Sequence, residues 1–376
     1  MRKSLIITAM AAMAISVSAA KVKKTVVPAE LMPTWTEWHD LQVNEVNRYG
    51  LHTNFFAYED MHAALAGNMA QSANYLSLEG SWKFNWVADA DQRPTDFYKT
   101  NYDDSAWKTM QVPGIWEMNV YGDPEYVNVG FGWRYMFNEE DYFKGFKKEY
   151  KVTNDSVPVP ISDNHVGSYR RVMELPANWN GKQVVAHFGS VTSNIYLFVN
   201  GHYVGYAEDS KVAAEFDITK YVKPGKNLIA FQTFRWCDGS WDEDQDFWRL
   251  SGVARNCYLF AKNPNVQVSN IKLTPDLLND YKDGELLVNV NVKGNPIIEF
   301  QLINANNQVV GKSTGTFNKK LNGVARFTVP NVEKWTAETP YLYTLLAIVK
   351  DGKGNVVEVI PQKVGFRKVE IKNSQL

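Results

Sequence analysis

The chain has 376 residues, of which 45% are hydrophobic and 13% are aromatic, so it can bury the cores of two or three domains. Its forty basic and forty-one acidic residues leave a formal net charge of −1. This balance lacks the positive field that binding to a phosphate backbone requires, and it excludes nucleic acid as an expected partner.

The first twenty residues have the pattern of a secretory signal peptide. Arg2 and Lys3 precede an apolar run, and small residues around Ala19 offer a cleavage site. The run is short and interrupted by Ser and Thr, and no later stretch approaches the roughly 18 apolar residues of a membrane span. We therefore expect a periplasmic or secreted protein without a membrane partner.

The middle of the chain is predicted to be rich in β-strands. From about residue 80 onward, short alternating runs stand between turn residues, and Asn200-Gly201 between two such runs predicts a tight hairpin. Residues 61–69 are the one short helix candidate. Residues 21–50, which carry Trp35 and Trp38, are predicted to form an extended arm that packs through aromatic side chains.

A second set of strands is predicted from about Val266. Its length of about one hundred residues and its regular strand spacing are typical of an immunoglobulin-like sandwich. We place the boundary between the two sets at residues 262–265. The predicted fold class is therefore all-β.

The stretch RWCDGSWDEDQDFWRLSG at residues 235–252 combines four aspartates and one glutamate with three tryptophans. Carboxylates favour water and tryptophans favour the interior, so the stretch predicts either a polar pocket with apolar walls or a solvated loop. A calcium-binding hand is excluded, because Phe247 and Val253 occupy the positions that require glycine and a bidentate acid. Binding of another cation through one aspartate stays open, and spacing alone assigns no pair of catalytic carboxylates.

The two cysteines, Cys237 and Cys257, flank this acidic stretch. Two interpretations stay open: a disulfide formed in an oxidising compartment, or two small buried thiols. The six histidines show no HExxH spacing, and the GxSxG match at Ser313, in GKSTG, lies within the second set of strands with no helix predicted after it, so it is not a nucleophile elbow. The sequence therefore gives no support for a zinc hydrolase or a serine triad.

The acidic stretch closely resembles the corresponding loop of the large microbial β-galactosidases of glycoside hydrolase family 2. Other segments are similar to the family in the same order along the chain: VPGIWEMNVYGDPEYVNV at 112–129, HVGSYRR at 165–171, FVNGHYVGYAEDSKVAAEFDIT at 198–219, WTAETPYLY at 335–343 and VGFRKVEI at 364–371. Together they cover nearly the whole chain after residue 20. The DQDFW and VNGHYVGY runs are the most specific parts of this resemblance.

The resemblance implies a jelly-roll-like sugar-binding domain at residues 51–261 and an immunoglobulin-like sandwich at residues 262–371. In the family, the second aspartate of the DQD triplet contacts galactose and a sodium ion, and this position is Asp246. The asparagine of the YVNV turn approaches the galactosyl group and corresponds to Asn128. Magnesium is also implied as a cofactor, with most ligands of both ions outside this chain.

The resemblance assigns different roles to the other residues of the acidic stretch. Its aromatic residues are expected to wall and brace the loop. The remaining acids are expected to cap turns or to support the loop: Asp238, Asp242, Glu243 and Asp244.

In the family, a segment like VGFRKVEI leads into a (β/α)₈ barrel of roughly 250 residues that carries the two catalytic glutamates. Residues 372–376 are expected to begin that linker, so we expect the catalytic barrel to be absent from this chain and the chain alone to be inactive. The favoured interpretation is the N-terminal part of an exported β-galactosidase that acts on β-galactosides with a barrel supplied in cis or in trans. The alternatives are a secreted carbohydrate-binding protein and an assembly protein. Oligomeric state stays open, with a homo-oligomer possible for the full-length enzyme.

Overall fold

The computed structural model describes residues 32–128, 130–133, 151–243, 245–317 and 323–375, so the predicted signal peptide at 1–20 lies outside it. The all-β prediction is confirmed, and the described residues contain one short α-helix, α1 at Met61–Ala66. Single turns of 3₁₀-helix lie at Glu37–His39, Met69–Gln71, Ala90–Gln92, Glu117–Asn119, Ala177–Trp179 and Asp238–Trp241. The described residues contain no (β/α)₈ barrel, and none of their helices is long and apolar enough to cross a membrane.

The first β-sandwich contains two main sheets. Its strands are β1 Glu45–Val46, β2 Tyr75–Ser77, β3 Gly80–Val87, β4 Lys108–Val112, β5 Gly114–Ile115, β6 Glu125–Val127, β7 Val166–Leu175, β8 Gln183–Phe188, β9 Val191–Thr192, β10 Ile195–Val199, β11 His202–Ala207, β12 Ala214–Asp217, β13 Gly225–Phe234, β14 Phe247–Arg249, β15 Gly252–Val253 and β16 Cys257–Lys262. A seven-stranded sheet has the order β1-β11-β10-β13-β7-β3-β4, and a four-stranded sheet has the order β12-β8-β16-β2. Two small sheets, β14-β6 and β5-β15-β9, complete this part.

The core of the first sandwich lies between the two main sheets. Leu197 and Phe231 from the larger sheet meet Phe188 and Leu259 from the smaller one, and all four side chains are fully buried. Burying side chains of this size contributes roughly 1.5–3 kcal/mol each to folding. The packing of these alternating apolar positions is what the sequence pattern predicts.

Two local sequence signals have the structure predicted for them. Asn200 and Gly201 both adopt positive φ, at 51° and 85°, which gives the tight turn between β10 and β11 the conformation that suits an Asn-Gly pair. Helix α1 begins where the Asp60 side chain accepts a hydrogen bond from the Ala63 N–H and ends at Gly67, which has φ 66°.

The arm that precedes the sandwich packs onto the larger sheet. Trp38 is 4% exposed and stacks on Phe234, with ring centroids 5.0 Å apart, and Trp35 stacks on Phe198. Further along the arm, β1 pairs with β11 and extends the sheet by one strand. The aromatic residues noted in the sequence are therefore the contacts that hold this segment.

The second β-sandwich has seven strands among the described residues: β17 Gln267–Leu278, β18 Asp283–Lys293, β19 Ile297–Ile303, β20 Val309–Thr316, β21 Gly323–Val329, β22 Tyr343–Lys350 and β23 Val356–Val364. One sheet has the order β17-β18-β21 and the other the order β20-β19-β22-β23. Residues of β21 alternate strictly between buried and exposed, as expected for strands with one face on a core. This arrangement is consistent with the predicted immunoglobulin-like sandwich.

Polar side chains fix the junction between the two sandwiches. Lys262, at the end of β16, donates a 2.7 Å hydrogen bond to the Val268 carbonyl oxygen, and the Val268 N–H donates to Glu358 at 2.6 Å. Gln267 donates to Gln183 at 2.7 Å across the same junction. These groups are buried, so their partners are required for stability and they constrain how the two parts meet.

Candidate functional site

The two residues predicted to contact a sugar lie at one exposed edge. Strands β6 and β14 pair antiparallel, with Phe247 opposite Val127. In this register, Asn128 directly follows β6 and Asp246 directly precedes β14, so the two positions face each other across the ladder. Both residues are exposed. The structure thus brings Asp246 and Asn128 together, although the first lies 118 positions further along the chain than the second.

Tyr126 and Trp248 add an aromatic surface to this edge. The Tyr126 hydroxyl donates a hydrogen bond to Asp246 Oδ1, and this bond raises the pKa of the Tyr126 phenol. The Tyr126 and Trp248 rings meet edge to face, 5.6 Å apart, and are 49% and 53% exposed. Sequence reasoning did not select Tyr126. The signal that could have selected Tyr126 is the EYV run, whose pattern predicts a strand directly before Asn128.

The tryptophans of the acidic stretch divide into two groups. Trp236 is 6% exposed and packs against Trp133, and half-buried Trp241 packs against the same ring, so these two brace the loop as expected. The expectation is wrong for Trp248, which points into solvent. The reason is the two-residue period of β14: Arg249 occupies the buried face, and its neighbour Trp248 must take the opposite one.

Buried polar contacts anchor the start of β6. Arg235 donates to Glu125 at 3.4 Å and to the Asp123 carbonyl oxygen at 3.4 Å, and its Nη1 lies 3.3 Å from His165 Nδ1. The Arg235 side chain is 5% exposed, so these contacts act in a medium of low dielectric constant. They fix the strand that leads to Tyr126 and Asn128.

The other end of the acidic stretch is buried. Carboxylate oxygens of Glu208 and Asp238 and the Cys237 sulfur all lie within 4.8 Å of one another, and the three residues are 5%, 3% and 0% exposed. Burial, reinforced by the charge of Asp238, raises the pKa of Glu208 to about 9. At neutral pH the pair of carboxyl groups therefore shares one proton, because two unshielded carboxylates at this distance repel each other.

The supporting acids behave in different ways. Asp238 accepts a hydrogen bond from the Gly239 N–H, and Glu243 accepts one from the Ser210 N–H at 2.8 Å, as expected for residues that support the loop. Asp242 is exposed, and Asp244 lies outside the described residues. Both cysteines are free and buried, so the structure has two buried thiols rather than a disulfide.

The residues present fit a hard cation at the buried end better than at the exposed edge. Apart from the proton that the two groups share, Glu208 Oε2 and Asp238 Oδ2 have no hydrogen-bond partner among the described residues, and carboxylate oxygens are the ligands that Mg²⁺ prefers. Burial raises the pKa of the Cys237 thiol, which makes it a poor ligand. At the exposed edge Asp246 supplies one carboxylate, so a sodium ion there requires further oxygen ligands.

The pocket next to the exposed edge is too small for a sugar. It is lined by Arg235, Glu243, Phe247 and Arg249 among others and has a volume of about 40 Å³. A cavity of this size holds a few water molecules. As far as the described residues show, a sugar ring at Asp246 would lie on an open surface.

Comparison with known protein families matches two consecutive segments. Residues 136–264 match the glycosyl hydrolases family 2 sugar binding domain, and residues 266–367 match a second domain of glycosyl hydrolases family 2. The chain belongs to glycoside hydrolase family 2. Its two sandwiches are the sugar-binding domain and the immunoglobulin-like domain of that family.

Relatives in family 2 include named β-galactosidases. The chain is 34% identical over 360 residues to a β-galactosidase of Priestia megaterium, in a match that covers 92% of this chain and 33% of that protein. It is 29% identical to a β-galactosidase large subunit of Leuconostoc lactis, with 90% of this chain and 53% of that subunit covered. The chain thus corresponds to the N-terminal, non-catalytic part of these proteins and spans about a third of the length of the β-galactosidase from Priestia megaterium.

Solved glycosidase structures share the fold at low identity. A β-glycosidase from Bacteroides vulgatus superposes with a TM-score of 0.59 at 20% identity, over 80% of this chain and 34% of that one. A β-glucuronidase from Bifidobacterium dentium gives a TM-score of 0.60 at 14% identity, over 80% of this chain and 50% of that one. These likenesses support the fold of both sandwiches.

Proposed function

We propose that this chain supplies the non-catalytic sugar-contacting part of an exported β-galactosidase that hydrolyses terminal β-galactosides with retention of configuration. Asp246 and Asn128 contact the galactosyl group, and a family 2 barrel contributes the catalytic carboxylates and the rest of the pocket. The observation that carries the proposal is the β6–β14 register, which presents both residues at one exposed edge.

The chemistry of this edge suits a galactoside. A carboxylate accepts hydrogen bonds from sugar hydroxyls, and the amide of Asn128 both donates and accepts them. Tyr126 orients the Asp246 carboxylate through its hydrogen bond, and the exposed rings of Tyr126 and Trp248 offer apolar surface to a sugar face. The edge is too open to bind a sugar tightly by itself, which fits a site completed by a second domain.

The cations and the location belong to the same proposal. Asp246 would contribute one ligand to a sodium ion beside the sugar, and Glu208 with Asp238 would supply carboxylate ligands to a magnesium ion, with most ligands of both ions outside this chain. When bound, these ions would supply fixed positive charge, one to the sugar hydroxyls and one to the base of the loop. The signal-like sequence of residues 1–20 supports a periplasmic or secreted location.

A chimaera tests the proposal. Residues 51–371 replace the matching part of the Priestia megaterium β-galactosidase, and hydrolysis of an aryl β-galactoside is measured for the chimaera and for the present chain alone. We expect activity only in the chimaera, and we expect Asn128→Ala to lower its kcat/KM by about tenfold or more, since a hydrogen bond to a sugar is worth roughly 1–2 kcal/mol.

The matched control for that variant is Asn119→Ala, which changes an exposed asparagine of the neighbouring 3₁₀ turn. Equal losses in the two variants would contradict a sugar contact at Asn128. Hydrolysis by the purified chain alone would contradict the non-catalytic role. If instead the chain alone binds galactose tightly, the alternative of a secreted carbohydrate-binding protein is supported.

A further inference from the structure

A larger pocket lies over the four-stranded sheet of the first sandwich. It has a volume of about 400 Å³ and is enclosed between residues 49–54, which cross the outer face of the sheet, and strands β8, β12 and β16. Volumes of this order are typical of small-molecule sites, and a monosaccharide fits within it. Neither Asp246 nor Asn128 lines this pocket, so the proposed β-galactoside site does not account for it.

The floor of the pocket is a row of side chains across three strands. Glu215 on β12 is opposite His187 on β8, and His187 is opposite Tyr258 on β16. His187 Nδ1 lies 2.7 Å from Glu215 Oε1, and the His187 ring stacks on Tyr258 with centroids 4.3 Å apart. Because the strands fix both contacts, the imidazole ring is held in one orientation without a ligand.

The wall of the pocket carries a positive charge at His52. His52 Nε2 lies 2.8 Å from Glu215 Oε2, and His52 Nδ1 lies 2.7 Å from the Thr53 carbonyl oxygen. Burial acts to raise the pKa of Glu215, but hydrogen bonds from His187 and His52 hold it at about 2, so this residue is a carboxylate. Burial acts to lower the pKa of His52, but the acceptors that face both of its nitrogens raise it overall and favour the protonated ring.

The charged groups that remain open to the pocket are cationic. Both Glu215 oxygens already accept hydrogen bonds from histidines. His187 Nε2 has no hydrogen-bond partner among the described residues and is not sealed from solvent. Arg255 is exposed at the rim, and the bond from its Nη1 to the Lys211 carbonyl oxygen at 2.7 Å holds the guanidinium in place. Such a lining favours an anion over a neutral sugar.

We propose that this pocket binds a small ligand that carries an oxyanion group, such as an acidic monosaccharide, between His187 and Arg255. The oxyanion accepts hydrogen bonds from the Arg255 guanidinium and from a protonated His187 Nε2, while Glu215 balances the charge of the histidine from behind. The rest of a sugar-sized ligand occupies the space below residues 49–54.

The pH dependence of this binding depends on every charged or titratable group that faces the pocket. Those groups are Glu215 on β12, Tyr258 on β16, Tyr49 and His52 on the crossing segment, Lys211 before β12 and Arg255 before β16. Glu215 stays ionised between pH 5.5 and 8. Burial acts to lower the pKa of His52, but its hydrogen bonds to Glu215 and Thr53 raise it overall, so a rise in pH removes this positive charge and weakens the binding of an anion.

Isothermal titration of the full chain with galacturonate tests the proposal, with galactose as the neutral probe of the same shape. We expect galacturonate to bind at pH 5.5, to bind more weakly at pH 8, and to compete with inorganic sulfate, whereas galactose does not bind this pocket. Equal affinity for the two sugars would overturn the anion class. Absence of galacturonate binding at pH 5.5 would overturn the site.

Two variants locate the binding. His187→Asn retains a donor to Glu215 and removes Nε2, and Arg255→Gln changes an exposed residue at the rim. We expect each to lower the galacturonate affinity by about tenfold or more, as for loss of a charge-assisted hydrogen bond. Arg326→Gln on β21 removes the same charge from the second sandwich and serves as control. Unchanged affinity in Arg255→Gln would contradict the proposal, and this test is independent of any β-galactosidase activity.

Discussion

Glu208 and Glu215 lie seven positions apart and are almost equally buried, at 5% and 8% exposure, yet their pKa values shift in opposite directions. Glu208 faces the Asp238 carboxyl group, and its pKa is raised to about 9. Glu215 faces the imidazoles of His52 and His187, and its pKa is held at about 2. Burial alone therefore does not set the charge of a carboxyl group in this protein; the partner that the fold places against it does.

The same difference in neighbouring groups makes the two regions suited to ions of opposite charge. The Glu208 region has an excess of carboxyl groups and is suited to a cation, whereas the Glu215 region has an excess of donors and is suited to an anion. Both regions belong to the sugar-binding domain of family 2.

The largest expected effect is the pH dependence of folding stability that Glu208 imposes. Its folded-state pKa lies above the unfolded value of 4.5, so the folded protein retains a proton that the unfolded chain releases. In the presence of a chelator, the contribution of Glu208 to stability is fully present below about pH 4.5 and falls by up to about 1.4 kcal/mol per pH unit as the pH rises toward 9. Glu208→Gln imitates the protonated side chain, and we expect it to remove most of this slope between pH 5 and pH 8, as measured by urea denaturation.

The exposed residue Glu174 provides the control, because Glu174→Gln changes the same chemical group on the surface. A slope that is identical in Glu208→Gln and in the parent protein would show that Glu208 is ionised in the folded state.

A smaller effect of opposite sign is expected at Glu215. Its folded-state pKa lies below 4.5, so its contribution to stability is present above that pH and is lost as the pH falls toward 2. We expect Glu215→Gln to destabilise the protein by about 3 kcal/mol at pH 7, because the charge of His52 loses its counter-ion. The difference from the parent protein should shrink at pH 3. Urea denaturation followed by circular dichroism at pH 7 and pH 3 measures this difference in the free energy of unfolding. A difference that is the same at both pH values would contradict the ion pair.

A still smaller change in folding stability is expected from magnesium, which should act at the Glu208 region and not at the Glu215 region. At pH 8 a cation that displaces the shared proton of Glu208 and Asp238 stabilises the folded state by about 2.7 kcal/mol when it is present at a hundredfold excess over its Kd. We expect this stabilisation in the parent protein and in Glu215→Gln but not in Asp238→Asn. A thermal shift that is equal in all three proteins would place the cation elsewhere.

Much of the fold follows from local sequence signals. The strand runs, the Asn200-Gly201 hairpin and the burial of Trp38 depend on residues that are close in sequence or on plain apolar character. The outward position of Trp248 was missed, because a stretch rich in tryptophan gives no indication of which ring lies on the solvent side of a two-residue strand period.

The sites depend on contacts that sequence spacing does not encode. His52 and Glu215 are 163 positions apart, and Glu208 meets Asp238 only because β11 and the end of β13 lie in the same part of the first sandwich. Asp246 and Asn128 were selected by resemblance to a family, and the β6–β14 register then showed that they share an edge. Their role as sugar contacts remains a prediction.

The most direct test of the proposed function is the sodium dependence of galactoside hydrolysis in the chimaera. We expect Asp246→Asn to lower kcat/KM by about tenfold or more and to weaken the response to sodium at the same time, since one carboxylate serves both the sugar and the ion. Asp242→Asn, an exposed aspartate of the same stretch, should leave both unchanged. Unchanged kinetics at low sodium in Asp246→Asn would contradict the account of this edge.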